Sequence, residues 1–398
     1  MEIIRSNSTK IDDVDFNSIK FGEIFTDHMF ECNFKNGDWE SPVIKPYGSI
    51  EMDPSSHVFH YGQAVFEGMK GYKDTKDQLW LFRPKDNYER LKKSCVRMKI
   101  PVLPSEYFFK GLEKLVSLEN KWISNKPGSS LYIRPFVFSS SAMLAASPSL
   151  DYKFLIICSP GAAYYSKPLS VYVEDKYSRA APGGAGYAKA AGNYGAAFYP
   201  TSLAISKGFD QIVWTDSESH QKIEEVGTMS IVFRLGEKLV TPKTSDTILD
   251  GVTRNSVIQA AKDQGIEVEE RDITVSELIS EFKSGNLREI FGCGTAAVIA
   301  PISSFGYKDE RFEIREVEKV APKFLDNFNS HSFDYFFNNL GRKPNFYDCA
   351  RSLNDLDYKT KNNIRQLLEF IAKGDDDFAH EEKVMLDQLR LIWNLDKD

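Results

Sequence analysis

The sequence has little of what several classes of protein require. Among its 398 residues, no apolar run approaches the ~20 residues that a transmembrane helix needs. The chain has 50 Lys and Arg residues and 57 Asp and Glu residues. Its net charge of -7 leaves no excess of basic residues for binding nucleic acid. The first residues lack the apolar segment and cleavage site of a secretory signal. We therefore expect a cytoplasmic protein with neither a membrane anchor nor a nucleic acid partner.

Thiol and imidazole groups are few and scattered. None of the six histidines has metal-ligand spacing from a cysteine or carboxylate cluster, so no metal site is expected. The cysteines are odd in number and include no Cys-x-x-Cys pair, which argues against a disulfide framework or structural zinc and favours a reducing cytoplasm. They are Cys32, Cys95, Cys158, Cys293 and Cys349.

Strand-like and helix-like apolar patterns alternate along the chain. Residues 154–158 predict a buried strand, bounded by Ser159-Pro160-Gly161. Residues 252–264 predict a helix, residues 266–269 a half-buried strand, and a capping box at 274–277 the start of another helix. Such a mixture favours an α/β or α+β architecture, and the length favours two domains.

Two segments carry side chains suited to a pyridoxal-phosphate site. Lys189 lies among small residues at 183–194, which leave room for a flat ring, although a surface loop would also be rich in Gly and Lys. Glu225 could keep a pyridine nitrogen protonated, whereas a solvated turn containing Glu224 and Glu225 is the plain alternative.

Two further segments could bind a phosphate group. Residues 251–253 open a predicted helix, whose first N–H groups attract an anion. Residues 292–296 follow a strand-like run, and their glycines allow close backbone approach, although a lone Gly-x-Gly is usually just a turn. Arg83 could add a charge-assisted contact, unless it belongs to a surface ion pair. The four segments together predict the pyridoxal-phosphate site that none predicts alone.

Several longer motifs give the chain a specific resemblance. These motifs occur in the same order as in the branched-chain aminotransferases, which the chain resembles. That family consists of fold-type IV pyridoxal-phosphate enzymes with two domains. The resemblance implies transfer of the amino group of leucine, isoleucine or valine to 2-oxoglutarate. The motifs that carry it are 61–70, 131–135, 189–194, 223–229, 250–254 and 292–297.

The resemblance also implies roles for residues around pyridoxal phosphate. Lys189 looks like the lysine that carries the cofactor and moves a proton between the substrate α-carbon and the cofactor. Glu225 looks like the partner of the pyridine nitrogen, and Tyr194 like the donor to the phenolic oxygen. The matching phosphate-binding positions are Arg83, Val252, Thr253 and Thr295.

The substrate groups follow from the same resemblance. Backbone N–H groups of Thr295 and Ala296 are expected to hold the α-carboxylate, and Arg134 the second carboxylate of glutamate. An aromatic pocket favours branched aliphatic side chains by burying methyl groups. Its matching positions are Tyr61, Phe66, Tyr132 and Tyr164. Members of the family are mostly homodimers in which one subunit closes the other's site.

The chain departs from the family pattern in three places. Ser230 replaces the usual Asn, and Ala297 and Ala300 stand where mitochondrial members have a redox Cys-x-x-Cys, so we expect no thiol switch. The chain also continues for about fifty residues beyond the usual end, with amphipathic patterns at 358–373 and 378–395.

These observations predict four parts of the chain. They are a small α/β domain at 1–161, an interdomain loop at 162–172, a large cofactor-binding domain at 173–350 and a helical extension at 351–398. Three other functions stay open: a D-amino-acid aminotransferase, an aminodeoxychorismate lyase, or a catalytically silent relative. The first two usually lack the motifs at 132–135 and 224–229, and intact Lys189 and Glu225 argue against the third.

Overall fold

The computed structural model describes residues 1–16, 18–74, 76–124, 129–161 and 167–314, and except for 74–78 these belong to one compact unit. Two nine-stranded sheets and seven α-helices account for its regular structure. The predicted mixed α/β fold class is therefore confirmed. The predicted C-terminal helices and Tyr164 lie outside the described residues.

All strands of the first sheet precede residue 162. Their order is β1-β4-β2-β9-β8-β6-β7, with β3 on β2 and β5 on β8. Helices α1 (His57–Tyr61), α2 (Pro84–Arg97) and α3 (Ser105–Leu118) accompany them. The strands are β1 (Glu2–Ile3), β2 (His28–Lys35), β3 (Asp38–Trp39), β4 (Val43–Pro46), β5 (Ala64–Phe66), β6 (Met69–Lys73), β7 (Leu79–Leu81), β8 (Ser130–Ser139) and β9 (Tyr152–Gly161).

The first core forms where α2 and α3 cover this sheet. Leu112 and Leu115 of α3 are fully buried in one cluster with Phe30, Phe154 and Ile156 of the strands. The helical period of 3.6 places the apolar residues of α3 on one face, and the strand period of 2 does the same for the sheet. The predicted strand at 154–158 is confirmed within β9.

The second sheet contains the strands that follow residue 168. Their order is β12-β11-β10-β17-β16-β13-β14-β15, with β18 on β17 and a further pairing of β12 with β13. Helices α4 (Gly192–Gly195), α5 (Phe198–Ser206), α6 (Val252–Asp263) and α7 (Val275–Lys283) accompany them. The strands are β10 (Leu169–Val173), β11 (Gln211–Thr215), β12 (Ile223–Val226), β13 (Met229–Leu235), β14 (Lys238–Thr241), β15 (Val268–Glu270), β16 (Leu287–Gly294), β17 (Val298–Tyr307) and β18 (Glu310–Glu313).

Local sequence signals explain the bounds of α6 and α7. Both predicted helices are confirmed, and Thr274 caps α7 by accepting the backbone N–H of Glu277 at 3.1 Å. The strand predicted at 266–269 instead covers Val268–Glu270. It starts later because the backbone N–H of Ile266 still donates to Ala261 of α6.

The described residues lack two features found in other classes of protein. None of their helices is long and apolar enough to span a bilayer. They also contain no cluster of three or more His, Cys, Asp or Glu side chains that could hold a metal ion.

Candidate active site

A cavity of about 460 Å³ receives side chains from both sheets. Phe66, Tyr132 and Arg134 come from β5 and β8 of the first sheet. The second sheet and its helices contribute most of the predicted cofactor-binding and substrate-binding residues. These are Lys189, Tyr194, Glu225, Val252, Thr253, Thr295 and Ala296.

Lys189 is held by both its backbone and its amine. Its backbone N–H donates to Ser94 Oγ of α2 at 2.9 Å, and its carbonyl accepts from the backbone N–H of Phe66 at 3.1 Å. Its Nζ lies 2.9 Å from the Tyr194 hydroxyl and 4.9 Å from the centre of the Phe66 ring. The amine is therefore fixed inside the cavity by a polar and an aromatic partner.

Glu225 places a buried carboxylate at the same cavity. Its Oε1 accepts the backbone N–H of Leu249 at 3.0 Å, and its Oε2 lies 2.8 Å from Arg179 Nε in an ion pair. Burial raises the pKa of Glu225, while the charge of Arg179 opposes that shift. Glu225 is thus a buried carboxyl group paired with an arginine, not the exposed turn residue of the plain alternative.

The start of α6 forms a cup of backbone N–H groups that suits an anion. Gly251, Val252 and Thr253 line the cavity, and the first N–H groups of a helix have no acceptor within it. A Cβ atom on Gly251 would lie 2.6 Å from Ser230 Oγ, so glycine permits this close approach to β13. Arg90 of α2 lines the same cavity and donates to the carbonyl of Asp250 at 2.9 Å.

Arg83 is placed differently from Arg90. Its guanidinium donates to Asp86, to Ser256 Oγ at 2.8 Å and to the Val252 carbonyl at 3.3 Å, and Arg83 does not line the cavity. Arg90, which no motif indicated, forms a buried ion pair with Glu67 through two hydrogen bonds. No local pattern distinguishes Arg90 from the other charged residues of α2.

Arg134 is packed between aromatic rings. Its guanidinium lies 4.5 Å from the Phe66 ring centre, and its Nη2 donates to the Tyr132 hydroxyl at 2.8 Å. Its buried Nε has no hydrogen-bond partner among the described residues. Phe21, which the sequence analysis missed, meets Tyr132 edge to face at 4.8 Å. No periodic pattern could indicate Phe21, because its segment has no regular secondary structure.

Two predicted pocket residues are not brought to the cavity. Tyr61 is 45% exposed at the end of α1, and its hydroxyl donates to the carbonyl of Leu144 at 2.5 Å. Tyr164 lies outside the described residues. Within the described chain, the aromatic wall therefore consists of Phe21, Phe66, Tyr132 and Tyr194.

Known proteins are similar to this chain in both sequence and fold. Branched-chain-amino-acid aminotransferase 2 of Bacillus subtilis is 43% identical over 329 residues, which are 81% of this chain and 91% of that protein. Branched-chain-amino-acid transaminase 1 of Bacillus subtilis is 45% identical over 293 residues, covering 72% and 82%. A branched-chain amino acid aminotransferase of Escherichia coli matches with a TM-score of 0.60 and 25% identity, over 76% of this chain and 93% of that one.

A second solved structure gives the same result. A branched-chain aminotransferase of Thermoproteus uzoniensis, solved with norvaline, matches with a TM-score of 0.61 and 25% identity. The match covers 76% of this chain and 96% of that protein. The family model described as Amino-transferase class IV matches residues 64–305, which include the whole cavity wall except Phe21. The sequence, the fold and the cavity agree, and the chain belongs to the class IV aminotransferase family.

Proposed function

We propose that this protein is a branched-chain amino acid aminotransferase that uses pyridoxal 5'-phosphate. It transfers the amino group of leucine, isoleucine or valine to 2-oxoglutarate, giving glutamate and a branched-chain 2-oxo acid. One observation carries the proposal: the Lys189 amine and the Glu225 carboxylate line a single cavity that also includes a helix start. The names of the Bacillus subtilis relatives support the substrate class.

The residues present fit pyridoxal phosphate. Lys189 would hold its aldehyde carbon, Glu225 its ring nitrogen and Tyr194 its phenolic oxygen, while the start of α6 would hold the phosphate. When bound, this cofactor supplies an electron-withdrawing ring that stabilises negative charge on the substrate α-carbon. The buried guanidinium of Arg90 beside the α6 cup supports an anion there. We therefore assign the phosphate-side charge to Arg90, with Arg83 bracing α6.

The side chains around Lys189 prepare it to move a proton. The Tyr194 hydroxyl fixes the position of Nζ, and the apolar ring of Phe66 packs against one side of the amine. A lysine base must be neutral when it accepts a proton. At Glu225, the positive charge of Arg179 favours the ionised form of the carboxyl group.

The same cavity would accept both an apolar and an acidic side chain. The rings of Phe21, Phe66 and Tyr132 bury the methyl groups of leucine, at ~0.8 kcal/mol per CH₂. Arg134 stacks on Phe66 and donates to Tyr132, so its charge is partly satisfied while an apolar substrate is bound. Its Nε, which has no hydrogen-bond partner among the described residues, remains a donor for the second carboxylate of glutamate.

We further propose a cytoplasmic homodimer in which a partner copy completes the pocket. Phe59, Tyr61 and Leu144 are 63%, 45% and 63% exposed, a large apolar area for a free surface. A second copy of the chain that covers this apolar surface would bury the Tyr61 ring. The division into domains at 1–161 and 173–350 remains part of this proposal.

Reductive trapping tests the assignment of Lys189. Borohydride treatment of the protein with pyridoxal phosphate should attach the cofactor to Lys189, as peptide mapping would show. Lys189→Ala should abolish transamination while the circular dichroism spectrum stays that of the folded protein. Recovery of the adduct on another lysine would falsify the assignment.

A further inference from the structure

Glu224, the neighbour of Glu225 on β12, is buried outside the active-site cavity. Successive side chains of a strand point to opposite faces, and Glu224 lines a second cavity of about 380 Å³ together with Thr247. Its side chain is only 6% exposed. Glutamate is rarely buried without a partner, so this position calls for a physical reason.

One hydrogen bond accounts for the burial of Glu224. The Thr247 hydroxyl donates to Oε1 at 2.5 Å, whereas Oε2 has no hydrogen-bond partner among the described residues. Burial raises the pKa of Glu224, and the Thr247 bond and the charge of Arg179 oppose that shift. The contact with Thr247 is therefore the specific interaction that this carboxyl group makes in the described part of the chain.

Thr247 belongs to residues 245–249, which touch the active site at three points. The backbone N–H of Leu249 donates to Glu225 at 3.0 Å. The carbonyl of Asp246 accepts from Tyr187, two residues before Lys189, at 3.0 Å. The Thr247 carbonyl accepts from Arg179, the ion-pair partner of Glu225. A shift of this segment would therefore move the acid, its arginine and the lysine loop together.

We propose that Glu224 is a positioning residue for the active site. Its carboxyl group holds Thr247, and through Thr247 it fixes residues 245–249 in the conformation that orients Glu225. This inference rests on the proposed function, because the orientation of Glu225 matters through the cofactor that it would contact.

Two matched variants test the contact between Glu224 and Thr247, and Thr247→Val also removes the hydrogen bond between the Thr247 and Ser245 hydroxyls. Thr247→Val has nearly the same shape but removes the donor, so it leaves the buried Glu224 carboxyl group unpaired. Glu224→Gln keeps the Oε1 acceptor and replaces only the Oε2 atom, which has no partner in the described chain. If the contact positions the segment, Thr247→Val should disturb the site and Glu224→Gln should keep wild-type behaviour.

Three measurements on the full chain decide the matter. Thr247→Val should raise the dissociation constant of pyridoxal phosphate about five- to tenfold, the range expected for one lost hydrogen bond. It should also shift the pH titration of the bound cofactor's visible absorption band and speed hydrogen exchange at the Leu249 amide. Glu224→Gln should stay within about twofold of wild type in affinity and exchange.

The outcomes separate this inference from the proposed function. Wild-type affinity, band titration and Leu249 exchange in Thr247→Val, even with lower thermal stability, would overturn the positioning role. A wild-type protein that binds no pyridoxal phosphate would instead overturn the proposed function. In that case exchange at Leu249, measured without cofactor, still decides whether Glu224 holds the segment.

Discussion

At the scale of single residues, the ionisation of Glu225 governs what the site can do. Burial favours its neutral form and Arg179 its charged form, so the local balance of charge sets the state of this acid. A pyridine nitrogen beside it would add a second positive charge and favour the carboxylate further. The charge of Arg179 and the Leu249 hydrogen bond thus make a buried carboxylate compatible with the proposed role.

Replacing Glu225 should separate cofactor binding from catalysis. In Glu225→Gln the ring nitrogen would lose its anionic partner, and we expect kcat to fall on the order of a hundredfold with the cofactor still bound. Steady-state kinetics and the visible spectrum measure the two effects. Glu224→Gln is the matched control and should keep near-normal turnover. The reverse pattern would mean that the neighbouring glutamate is the functional one.

Arg134 should distinguish the two substrates of the reaction. Arg134→Ala removes the cation that pairs with the second carboxylate of glutamate, a loss of about 2–5 kcal/mol for that substrate. We expect the glutamate and 2-oxoglutarate half-reaction to slow by tens-fold or more, and the leucine half-reaction far less. Single-turnover kinetics of each half-reaction check this. Equal losses would show that Arg134 supports the site through its stacking on Phe66.

The residues that could be predicted from sequence are those embedded in motifs. Lys189, Tyr194 and Glu225 lie in strings whose residue types suit one cofactor, and the structure places all three at one cavity. Arg90, Arg179 and Phe21 lie at the same site, or contact it, only because of tertiary packing. A lone arginine or phenylalanine has no local pattern that separates a site residue from an ordinary one.

At the scale of elements, backbone hydrogen bonds to side chains determine where strands and helices end. Thr274 caps the start of α7, as the capping box predicts. A capping box also expects the Glu277 carboxylate to accept the backbone N–H of Thr274. Instead, that carboxylate accepts from the Arg271 guanidinium at 2.7 Å. The turn between β11 and β12 depends on Asp216 in a similar way. Its carboxylate accepts the backbone N–H groups of Ser219, Gln221 and Lys222.

This turn should make stability depend on pH in a defined direction. Burial opposes ionisation of Asp216, but the backbone N–H bonds prevail and lower its pKa from 3.8 to about 2. A lowered folded-state pKa stabilises the fold above the unfolded value and loses that effect as pH falls from 3.8 through 2. Solvent screens this partly exposed carboxylate, so Asp216→Asn should lower the unfolding free energy at pH 7 by only about 1 kcal/mol.

Urea denaturation at several pH values measures the contribution of Asp216. The difference between wild type and Asp216→Asn should shrink steadily below pH 4 as the wild-type carboxylate is protonated. A difference that stays constant from pH 7 to pH 2.5 would contradict the account. Asp263→Asn, at the last residue of α6, is a control without these backbone bonds.

At the scale of the whole molecule, the active site depends on contacts between distant parts of the chain. Phe66 comes from the first sheet, Glu225 from the second and Val252 from the start of a helix. Local patterns predicted several individual elements and their type, among them β9, α6 and α7, because periodicity is local. The order of strands in the two sheets and the closeness of these three residues depend on long-range packing, which no short pattern contains.

The most direct test follows one amino-group transfer through both halves. Purified protein loaded with pyridoxal phosphate should lose its visible absorption band when leucine is added, releasing one branched-chain 2-oxo acid per site. Adding 2-oxoglutarate should restore the band and yield glutamate. A band that is absent, or that responds to D-alanine and not to leucine, would contradict the account. So would a protein that releases pyruvate from aminodeoxychorismate while leaving leucine untouched.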